Sequence, residues 1–365
     1  MHRSRKHASR KDDHILYSLL SASQYSRKTA WFEYVDLVHV AAPEIDFSDV
    51  SLSTEFLGFK LTAPLLIAGM TGGTPLAKKL NEIFARAAEE LGVALGVGSQ
   101  RVALESPETR ETFSVVREVA VSVPVIANIG ASQLVEGIGF DAVESLVEMV
   151  DADALAVHLN PLQEVLQPEG EARYAGLLKR LKELSERCSV PVLVKETGAG
   201  VSREAAAKLA SAGVRGIDVG GAGGTSFAKV EGFRSLALGD ELLYQLALDF
   251  SEWGVPTAAS ILEVRSVSPD LIVIATGGLR SGVDAAKALR LGADLCGFAR
   301  PVLRAAFEGG YEGVVRYLRR IVEGLRRALF LTGSRNLAEF KRAPAVVKGE
   351  LREWIELRGL RVPGL

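Results

Sequence analysis

The sequence predicts a (β/α)₈ barrel, and three observations carry that prediction. Eight apolar runs occur between residues 63 and 301, each run ends in a polar or glycine-rich tip, and most of the intervals have helical periodicity. Strands that alternate with helices form parallel sheets, and eight such units close into a barrel of about 250 residues. The predicted strands are Ala63–Met70, Val93–Ser99, Val123–Gly130, Ala154–Asn160, Val190–Glu196, Gly216–Gly221, Leu271–Gly278 and Leu295–Pro301.

The helices between these strands have their own start and end signals. Pro75 suits the first turn of a helix that Gly92 ends. Ser106 followed by Pro107 predicts another start, and Ser202 predicts an N-cap. The predicted helices are Leu76–Leu91, one that begins after Ser106, Phe140–Val150, Tyr174–Arg187, Arg203–Ala212, Ser281–Leu291, Val302–Leu331 with a break near Gly309-Gly310, and Val347–Leu357.

The chain divides into three parts. Residues 1–60 lack the rhythm of the barrel and form an extension that either packs on the barrel floor or reaches over its mouth, where we expect it to contribute. Residues 61–335 form the barrel, and residues 336–365 form a helical tail. Two loops, 160–173 and 222–270, are oversized and follow the fourth and sixth strands at the face where barrel loops carry function.

Composition and charge exclude several classes of protein. The formal net charge of −2 gives no basic field, so we expect no nucleic-acid partner. No run of 18 uncharged apolar residues occurs, so we expect no membrane segment. The two cysteines, Cys188 and Cys296, form no disulfide framework, and no apolar segment follows the basic N-terminus as in a secretory signal. We therefore expect a cytoplasmic protein.

The polar tips of the strands are predicted to share one pocket, because barrel active sites form at the C-terminal ends of the strands. The segments 276–282 and 297–301 are glycine-rich tips of the seventh and eighth strands. Backbone N–H groups of such tips, together with a helix N-terminus, bind phosphate in many barrels. The alternative is that these glycines form tight turns without a ligand.

Lys195 and His158 each allow more than one interpretation. Lys195 ends a buried strand and needs an anionic or polar partner, either Glu196, a neighbouring strand, or a cofactor ring such as reduced flavin. Schiff-base chemistry is a third possibility for this lysine. His158 lies two residues before Asn160, so both side chains face the same side of the strand, in a structural or a ligand-binding role.

Charged residues at both ends of the predicted pocket match a polyanionic substrate. Arg10 and Lys11 form either a disordered basic arm or a strap that meets the same substrate as Arg101. Glu164 is either a solvated loop carboxylate or a ligand of Mg²⁺, which in proteins binds one or two carboxylates together with substrate phosphates.

Eight motifs, in order from residue 10 to about residue 300, resemble those of the type 2 isopentenyl diphosphate isomerases. This resemblance implies an FMN-dependent barrel that interconverts isopentenyl and dimethylallyl diphosphate with Mg²⁺ and reduced flavin. NAD(P)H would serve to reduce the flavin, and the assembly would be a homotetramer or homo-octamer. The motifs are Arg10-Lys-Asp-Asp-His14, Ala68-Gly-Met-Thr-Gly-Gly73, Gly98-Ser-Gln-Arg101, Asn128-Ile-Gly130, His158-Leu-Asn-Pro-Leu-Gln-Glu164, Val194-Lys-Glu196, Gly220-Gly-Ala-Gly-Gly-Thr-Ser226 and Thr276-Gly-Gly-Leu-Arg-Ser-Gly282.

The resemblance also implies a role for individual residues. Glu164 would bind Mg²⁺, and Gln163, Lys195 and His158 would serve catalysis. The residues expected to hold FMN are Ala68, Met70, Thr71, Ser99, Asn128, Lys195, Thr225, Gly277, Gly278, Arg280, Ala299 and Arg300. The residues expected to hold the substrate are Arg10, Lys11, Ser99, Gln100, Arg101, His158, Asn160 and Gln163.

The expected mechanism is proton transfer without net redox change. Neither cysteine is predicted at the mouth, and Gln163 is a neutral amide, so we expect reduced flavin to move the proton near its N5. Lys195 would stabilise the anionic ring and Gln163 would position the substrate. The alternatives are an FMN oxidase of the α-hydroxy-acid type, an inosinate-dehydrogenase-like enzyme, and a non-catalytic flavin- or phosphate-binding barrel. The first needs a histidine and the second a cysteine near the sixth strand, and residues 222–270 contain neither.

Overall fold

The computed structural model describes residues 2–170 and 172–364, with side chains from residue 11 onward. Strands β4 to β11 close into a parallel barrel in which neighbours in space are neighbours in sequence, so the predicted fold is confirmed. The strands are β1 Val35–Leu37, β2 Thr54–Phe56, β3 Phe59–Leu61, β4 Leu65–Ile67, β5 Ala94–Gly96, β6 Val125–Gly130, β7 Ala154–Leu159, β8 Val192–Glu196, β9 Gly216–Asp218, β10 Ile272–Ala275, β11 Leu295–Phe298 and β12 Ala345–Val347.

The barrel strands are shorter than the apolar runs that predicted them. The run Leu271–Gly278, for example, contains a strand only over Ile272–Ala275. Gly277 and Gly278 follow with φ of 101° and 79°, in the left-handed region that ends a strand. The tip residues therefore leave the sheet and bend toward the mouth of the barrel.

Helices surround the barrel and mostly begin where the sequence predicted. Ser202 and Ser281 are N-caps whose side chains accept from backbone N–H groups, as expected. Ser106 is not, because the chain is already helical before it and continues through a 3₁₀ turn. The helices are α1 His2–Leu19, α2 Pro75–Leu91, α3 Arg101–Glu105, α4 Glu111–Val119, α5 Ala131–Val135, α6 Phe140–Met149, α7 Pro161–Leu166, α8 Leu177–Arg187, α9 Arg203–Ser211, α10 Phe227–Ala237, α11 Glu241–Asp249, α12 Thr257–Arg265, α13 Gly282–Arg290, α14 Arg300–Leu331 (kinked at Gly309 and Gly310), α15 Leu337–Phe340 and α16 Gly349–Arg358.

The N-terminal extension covers both ends of the barrel. Phe56 and Leu61, in the β2–β3 hairpin, pack against inner residues of the barrel strands and close its floor. Earlier in the chain, Lys11 and His14 line the cavity at the mouth, and Tyr25 donates its N–H to Gly224 O at 3.0 Å. The two positions that the sequence left open are therefore both occupied.

The C-terminal tail is fixed to the barrel by buried polar contacts. Strand β12 pairs antiparallel with β1. Trp354 and Arg358 of α16 donate to Glu263 Oε1 at 2.9 and 2.8 Å. The Glu263 carboxylate is fully buried, so these bonds stabilise the docked helix.

Two arginine–aspartate clamps hold the strand starts together at the floor. Asp153 precedes β7, accepts the N–H of Val125 at the start of β6, and binds Arg117 at 2.7 Å. Asp294 precedes β11, accepts the N–H of Val273 in β10, and binds Arg265 at 2.5 Å. The two clamps lie four strands apart and make the same two bonds, so this arrangement occurs twice around the floor of the barrel.

Candidate active site

A cavity of about 310 Å³ opens at the C-terminal ends of the barrel strands. That volume is in the range of small-molecule sites. It brings together most of the residues that the sequence assigned to a site. Those that line it are Lys11, Met70, Thr71, Ser99, Arg101, Asn128, His158, Asn160, Gln163, Glu164, Lys195, Thr225, Gly277, Gly278, Arg280, Ala299 and Arg300.

Two of the expected residues with described side chains do not line the cavity, and a third cannot be placed. Gln100 is turned away from the cavity, because its Nε2 donates to Leu146 O in α6 and its Oε1 accepts from the N–H of Asn128, both at 2.9 Å. Ala68 is buried in the wall, where its N–H donates to Phe298 O at 3.1 Å. The side chain of Arg10 lies outside the described residues.

Strand register places His158, Lys195 and Asp218 in one layer. His158 in β7 is the Cα partner of Lys195 in β8, which in turn is the partner of Asp218 in β9. In-register side chains on neighbouring parallel strands face the same side. Lys195 Nζ lies 2.7 Å from Asp218 Oδ2, so the ion pair to a neighbouring strand that the sequence left open is present. Lys195 still lines the cavity.

His158 is held as a neutral imidazole. Burial, together with the charges of Lys195 and Lys11, lowers the pKa of His158 to about 4. Its Nδ1 lies 2.8 Å from Asn128 Oδ1. In the tautomer that carries its proton on Nδ1, this nitrogen donates to the amide oxygen and Nε2 keeps a lone pair.

A buried polar network that the sequence did not predict extends from Gln163. Gln163 Nε2 donates to Glu231 Oε1 at 2.7 Å, and His14 Nε2 lies 2.8 Å from the same oxygen. Arg234 binds the other carboxylate oxygen at 2.6 Å. Burial alone would raise the pKa of Glu231, but His14 and Arg234 outweigh it and hold the pKa below its usual range. One available signal was the charge on α10, in the long connection after β9.

Glu164 lies beside the amides that the sequence grouped with it. Asn160 Nδ2 donates to Glu164 Oε1 at 2.8 Å and to Gln163 Oε1 at 3.2 Å. Tyr174 donates to Asn160 Oδ1 at 3.1 Å. Within the described part of the chain, no cluster of three or more His, Cys, Asp or Glu side chains could enclose a metal ion. A metal here would need further ligands from a bound substrate.

The two predicted phosphate tips differ in how their helices begin. The N-terminus of α13 is occupied, because Asp284 Oδ2 accepts the N–H groups of Arg280 and Ser281 at 2.9 and 3.0 Å. Helix α14 begins after Ala299 without a side-chain cap. Ala299, Arg300 and Pro301 line the cavity, so the positive end of this helix is suited to an anion.

The glycines of the seventh tip are explained by loop packing. A Cβ on Gly277 would lie 2.0 Å from Gly221 O, and one on Gly278 would lie 2.7 Å from Gly223 O. The tight-turn alternative thus accounts for these glycines, although both line the cavity.

Two arginines at the phosphate side hold the N-terminal segment. Arg300 donates to Ser18 O and Leu19 O, each at 2.8 Å, which satisfies the end of α1. Arg280 donates to Gln24 Oε1 at 2.6 Å. The segment thus forms part of the wall above α14.

Comparison with known proteins agrees with this geometry. Residues 170–347 match the model of the FMN-dependent dehydrogenase family. Solved structures of similar fold include a mandelate oxidase variant (TM-score 0.62, 19% identity, covering 94% of this chain and 99% of that one) and a lactate oxidase of Pediococcus acidilactici (0.61, 17%, 95% and 94%). At these identities the likeness concerns the fold. No helix in the described residues is long and apolar enough to cross a membrane.

Closer relatives match almost end to end, and each is named isopentenyl-diphosphate delta-isomerase. The protein of Methanopyrus kandleri is 51% identical over 352 residues, covering 96% of this chain and 95% of its own. That of Thermococcus kodakarensis is 48% identical (96% and 94%), and that of Ignicoccus hospitalis is 44% identical (97% of both). This chain therefore belongs to the isopentenyl-diphosphate delta-isomerase family, in its FMN-dependent type 2 form.

Proposed function

We propose that this chain catalyses the reversible isomerisation of isopentenyl diphosphate to dimethylallyl diphosphate, with reduced FMN, Mg²⁺, and NAD(P)H as reductant of the flavin. One observation carries the proposal: a single cavity joins a set of cations and amides suited to a diphosphate with an anion site and a lysine suited to FMN. Relatives of 43–51% identity that bear the isomerase name support it.

The residues at the α14 side of the cavity fit FMN. The uncapped N-terminus after Ala299 suits the FMN phosphate, and the engaged guanidinium of Arg300 leaves its backbone for that role. Lys195 supplies a cation for the ring of reduced flavin. The remaining side chains and glycines of the proposed cofactor site are Met70, Thr71, Ser99, Asn128, Thr225, Gly277, Gly278 and Arg280.

The opposite side of the cavity fits a diphosphate with its metal. Lys11 enters from the N-terminal helix, where its Nζ also donates to Ser99 O at 2.9 Å, and Arg101 begins α3. His158 offers Nε2, and the amides of Asn160 and Gln163 complete the set. Glu164 would bind Mg²⁺ together with phosphate oxygens, the usual arrangement for this ion.

In the proposed mechanism FMN, when bound and reduced, supplies acid–base chemistry near its N5. Lys195 lines the cavity and would interact with the ring of reduced flavin. Gln163 positions the substrate, because its amide donates to Glu231 and accepts from Asn160. The cysteines take no part, since Cys296 is buried within β11 and Cys188 lies at the floor end of β8 with a thiol pKa raised to about 11 by burial.

The decisive experiment is turnover of isopentenyl diphosphate by the purified protein under anaerobic conditions. The assay contains Mg²⁺ and pre-reduced FMN and no NAD(P)H. We expect dimethylallyl diphosphate over many turnovers, because a shifted double bond needs one proton added and one removed and no electrons. Consumption of one NAD(P)H per product would contradict the mechanism, and absence of product with bound FMN would contradict the substrate.

The resemblance to the family also supports two finer proposals. We propose a homotetramer or homo-octamer, to be checked by light scattering of the FMN-loaded protein. We propose the cytoplasm as its location, in line with the two unpaired cysteines.

A further inference from the structure

Asp218 is a buried carboxylate that the proposed function does not use. The residue is 4% exposed at the end of β9, and it is not among the residues that line the cavity. Its Oδ2 lies 2.7 Å from Lys195 Nζ, which does line the cavity. Any effect of Asp218 on a bound ligand therefore acts through Lys195 or through its charge.

The other carboxylate oxygen is held by a separate pair of donors. Thr276 of the next strand tip donates its hydroxyl to Asp218 Oδ1. The N–H of Gly220 donates to the same oxygen at 3.3 Å. These two bonds fix the orientation of the carboxylate independently of the lysine, and they direct Oδ2 toward Lys195.

In the layer formed by His158, Lys195 and Asp218, the ion pair of Lys195 lies on the β9 side. On its β7 side lies His158, which burial keeps neutral, and on its β9 side lies Asp218. Lys195 Nζ also approaches Thr276 Oγ1 at 3.4 Å. A buried ammonium group without a counter-ion is strongly disfavoured. The ion pair with this carboxylate therefore fixes the place of the lysine.

We propose that Asp218, oriented by Thr276, is a positioning residue that holds Lys195 at the flavin. This inference rests on the proposed function, in which Lys195 stabilises the anionic ring of reduced FMN. Asp218 touches neither cofactor nor substrate. Its contribution is to make the lysine available as a fixed cation when FMN is reduced.

The proposal predicts a coupled change in the midpoint potential of bound FMN. Lys195→Met lowers the potential, because a cation near the ring favours the reduced, anionic form. Asp218→Asn keeps the shape of the side chain and removes the ion pair, so the lysine is no longer held in place. Loss of the aspartate charge by itself raises the potential, and the Lys195→Met background measures that direct effect. We expect the shift on Asp218→Asn to be more negative with Lys195 present than in the Lys195→Met background.

The experiment is a double-mutant cycle on the FMN-loaded protein, with potentials from equilibrium titration against a reference dye. Wild type, Asp218→Asn, Lys195→Met and the double variant are compared. We expect the shift from Lys195→Met to the double variant to be more positive than the shift from wild type to Asp218→Asn, since the lysine can be displaced only where it is present. Asp294→Asn is the matched control: Asp294 accepts from Lys341 at 2.8 Å at the other end of the barrel, so its loss leaves the potential unchanged.

Two results would overturn the proposal: an equal shift on Asp218→Asn with and without Lys195, or a more positive shift with Lys195 present. Thr276→Val tests the same idea if Asp218→Asn does not fold. It should also give a more negative shift with Lys195 present than without it, and the difference should be smaller. If the potentials behave as expected but isopentenyl diphosphate is not converted, the proposed substrate is wrong and the role of Asp218 stands. If the wild type retains no FMN, both are wrong.

Discussion

The two ends of the barrel use the same charged residue types differently. At the floor, Arg117 and Arg265 each bind an aspartate, and their guanidinium groups also donate to backbone carbonyls; Arg265, for example, reaches Gly292 O at 2.9 Å and Pro269 O at 2.8 Å. At the mouth, Lys195 has the carboxylate of Asp218 on one side and the cavity on the other.

This difference shows how the fold separates stability from chemistry. At the floor, the N–H donors of each guanidinium group already bind an aspartate and loop carbonyls. Such a group stabilises the barrel, and few of its donors remain for a ligand. A lysine with a single buried counter-ion keeps donors for an incoming anion. The charged residues of the floor thus maintain the structure, and those of the mouth remain available to a ligand, as is general for barrels.

The largest expected effect is at the mouth. Lys195→Met should lower kcat by about a thousand-fold, roughly 4 kcal/mol, because a fixed cation is lost where negative charge develops. The measurement is turnover with pre-reduced FMN. Lys341→Met removes the comparable lysine at the floor, which is 2.8 Å from Asp294, and should leave kcat within about twofold. A similar loss in both variants would remove the distinction between the two ends.

The floor clamps should affect stability alone. Arg265→Met should lower the free energy of unfolding by about 3 kcal/mol, because it leaves Asp294 and several carbonyls short of donors. Arg117→Met should cost about as much, since the two clamps repeat. Activity per folded molecule should not change. Arg327→Met, which breaks an exposed pair with Glu323, should cost under about 1 kcal/mol in the same denaturant titration. Unequal losses from the two clamps would contradict the repeat.

At the mouth, His158 should make folding stability sensitive to acid. The pKa of His158 is lowered to about 4 in the folded chain, below its ordinary value of 6.5. Between pH 6.5 and 4 the unfolded chain binds a proton at this histidine that the folded chain does not, so folding stability falls as pH falls through that window.

The corresponding measurement compares wild type with His158→Gln. The wild type should lose about 3 kcal/mol more free energy of unfolding than the variant between pH 7 and pH 4. Parallel losses in the two proteins would show that His158 is not held neutral.

The smallest expected effect concerns the segment above the mouth. The Tyr25 hydroxyl contacts Trp253 O at 2.7 Å and Gly198 O at 2.8 Å, and so links this segment to two loops. Tyr25→Phe should lower the free energy of unfolding by about 1 kcal/mol, the usual net value of such a bond. Denaturant unfolding at neutral pH would detect it, and an unchanged midpoint would show that the segment is held by its backbone contacts alone.

The barrel could be predicted because its signals are local. Apolar runs, proline at Pro75 and N-caps such as Ser202 each act within a few residues. The strand tips followed from the fold, since every barrel presents the same end of its strands to the mouth. Most of the cavity lining was therefore accessible from sequence.

The missed residues depend on contacts between distant parts of the chain. Asp218 lies within the predicted apolar strand Gly216–Gly221, where a carboxylate is itself a signal of a buried polar contact. Glu231 is buried only because α10 packs beside Gln163. The sequence predicts Gln100 in the pocket because its neighbours Ser99 and Arg101 lie there, but at the start of α3 its side chain turns toward α6.

The bonds from Arg300 to the end of α1 join residues 282 and 281 positions apart. Helix α1 leaves the ribosome before the barrel, and its partner Arg300 emerges only after all eight barrel strands. The wall above the cavity can therefore close only after the eighth strand has been made, and contacts of such long range also form slowly in refolding. The pocket thus depends on two segments that are made at opposite ends of the synthesis of the barrel.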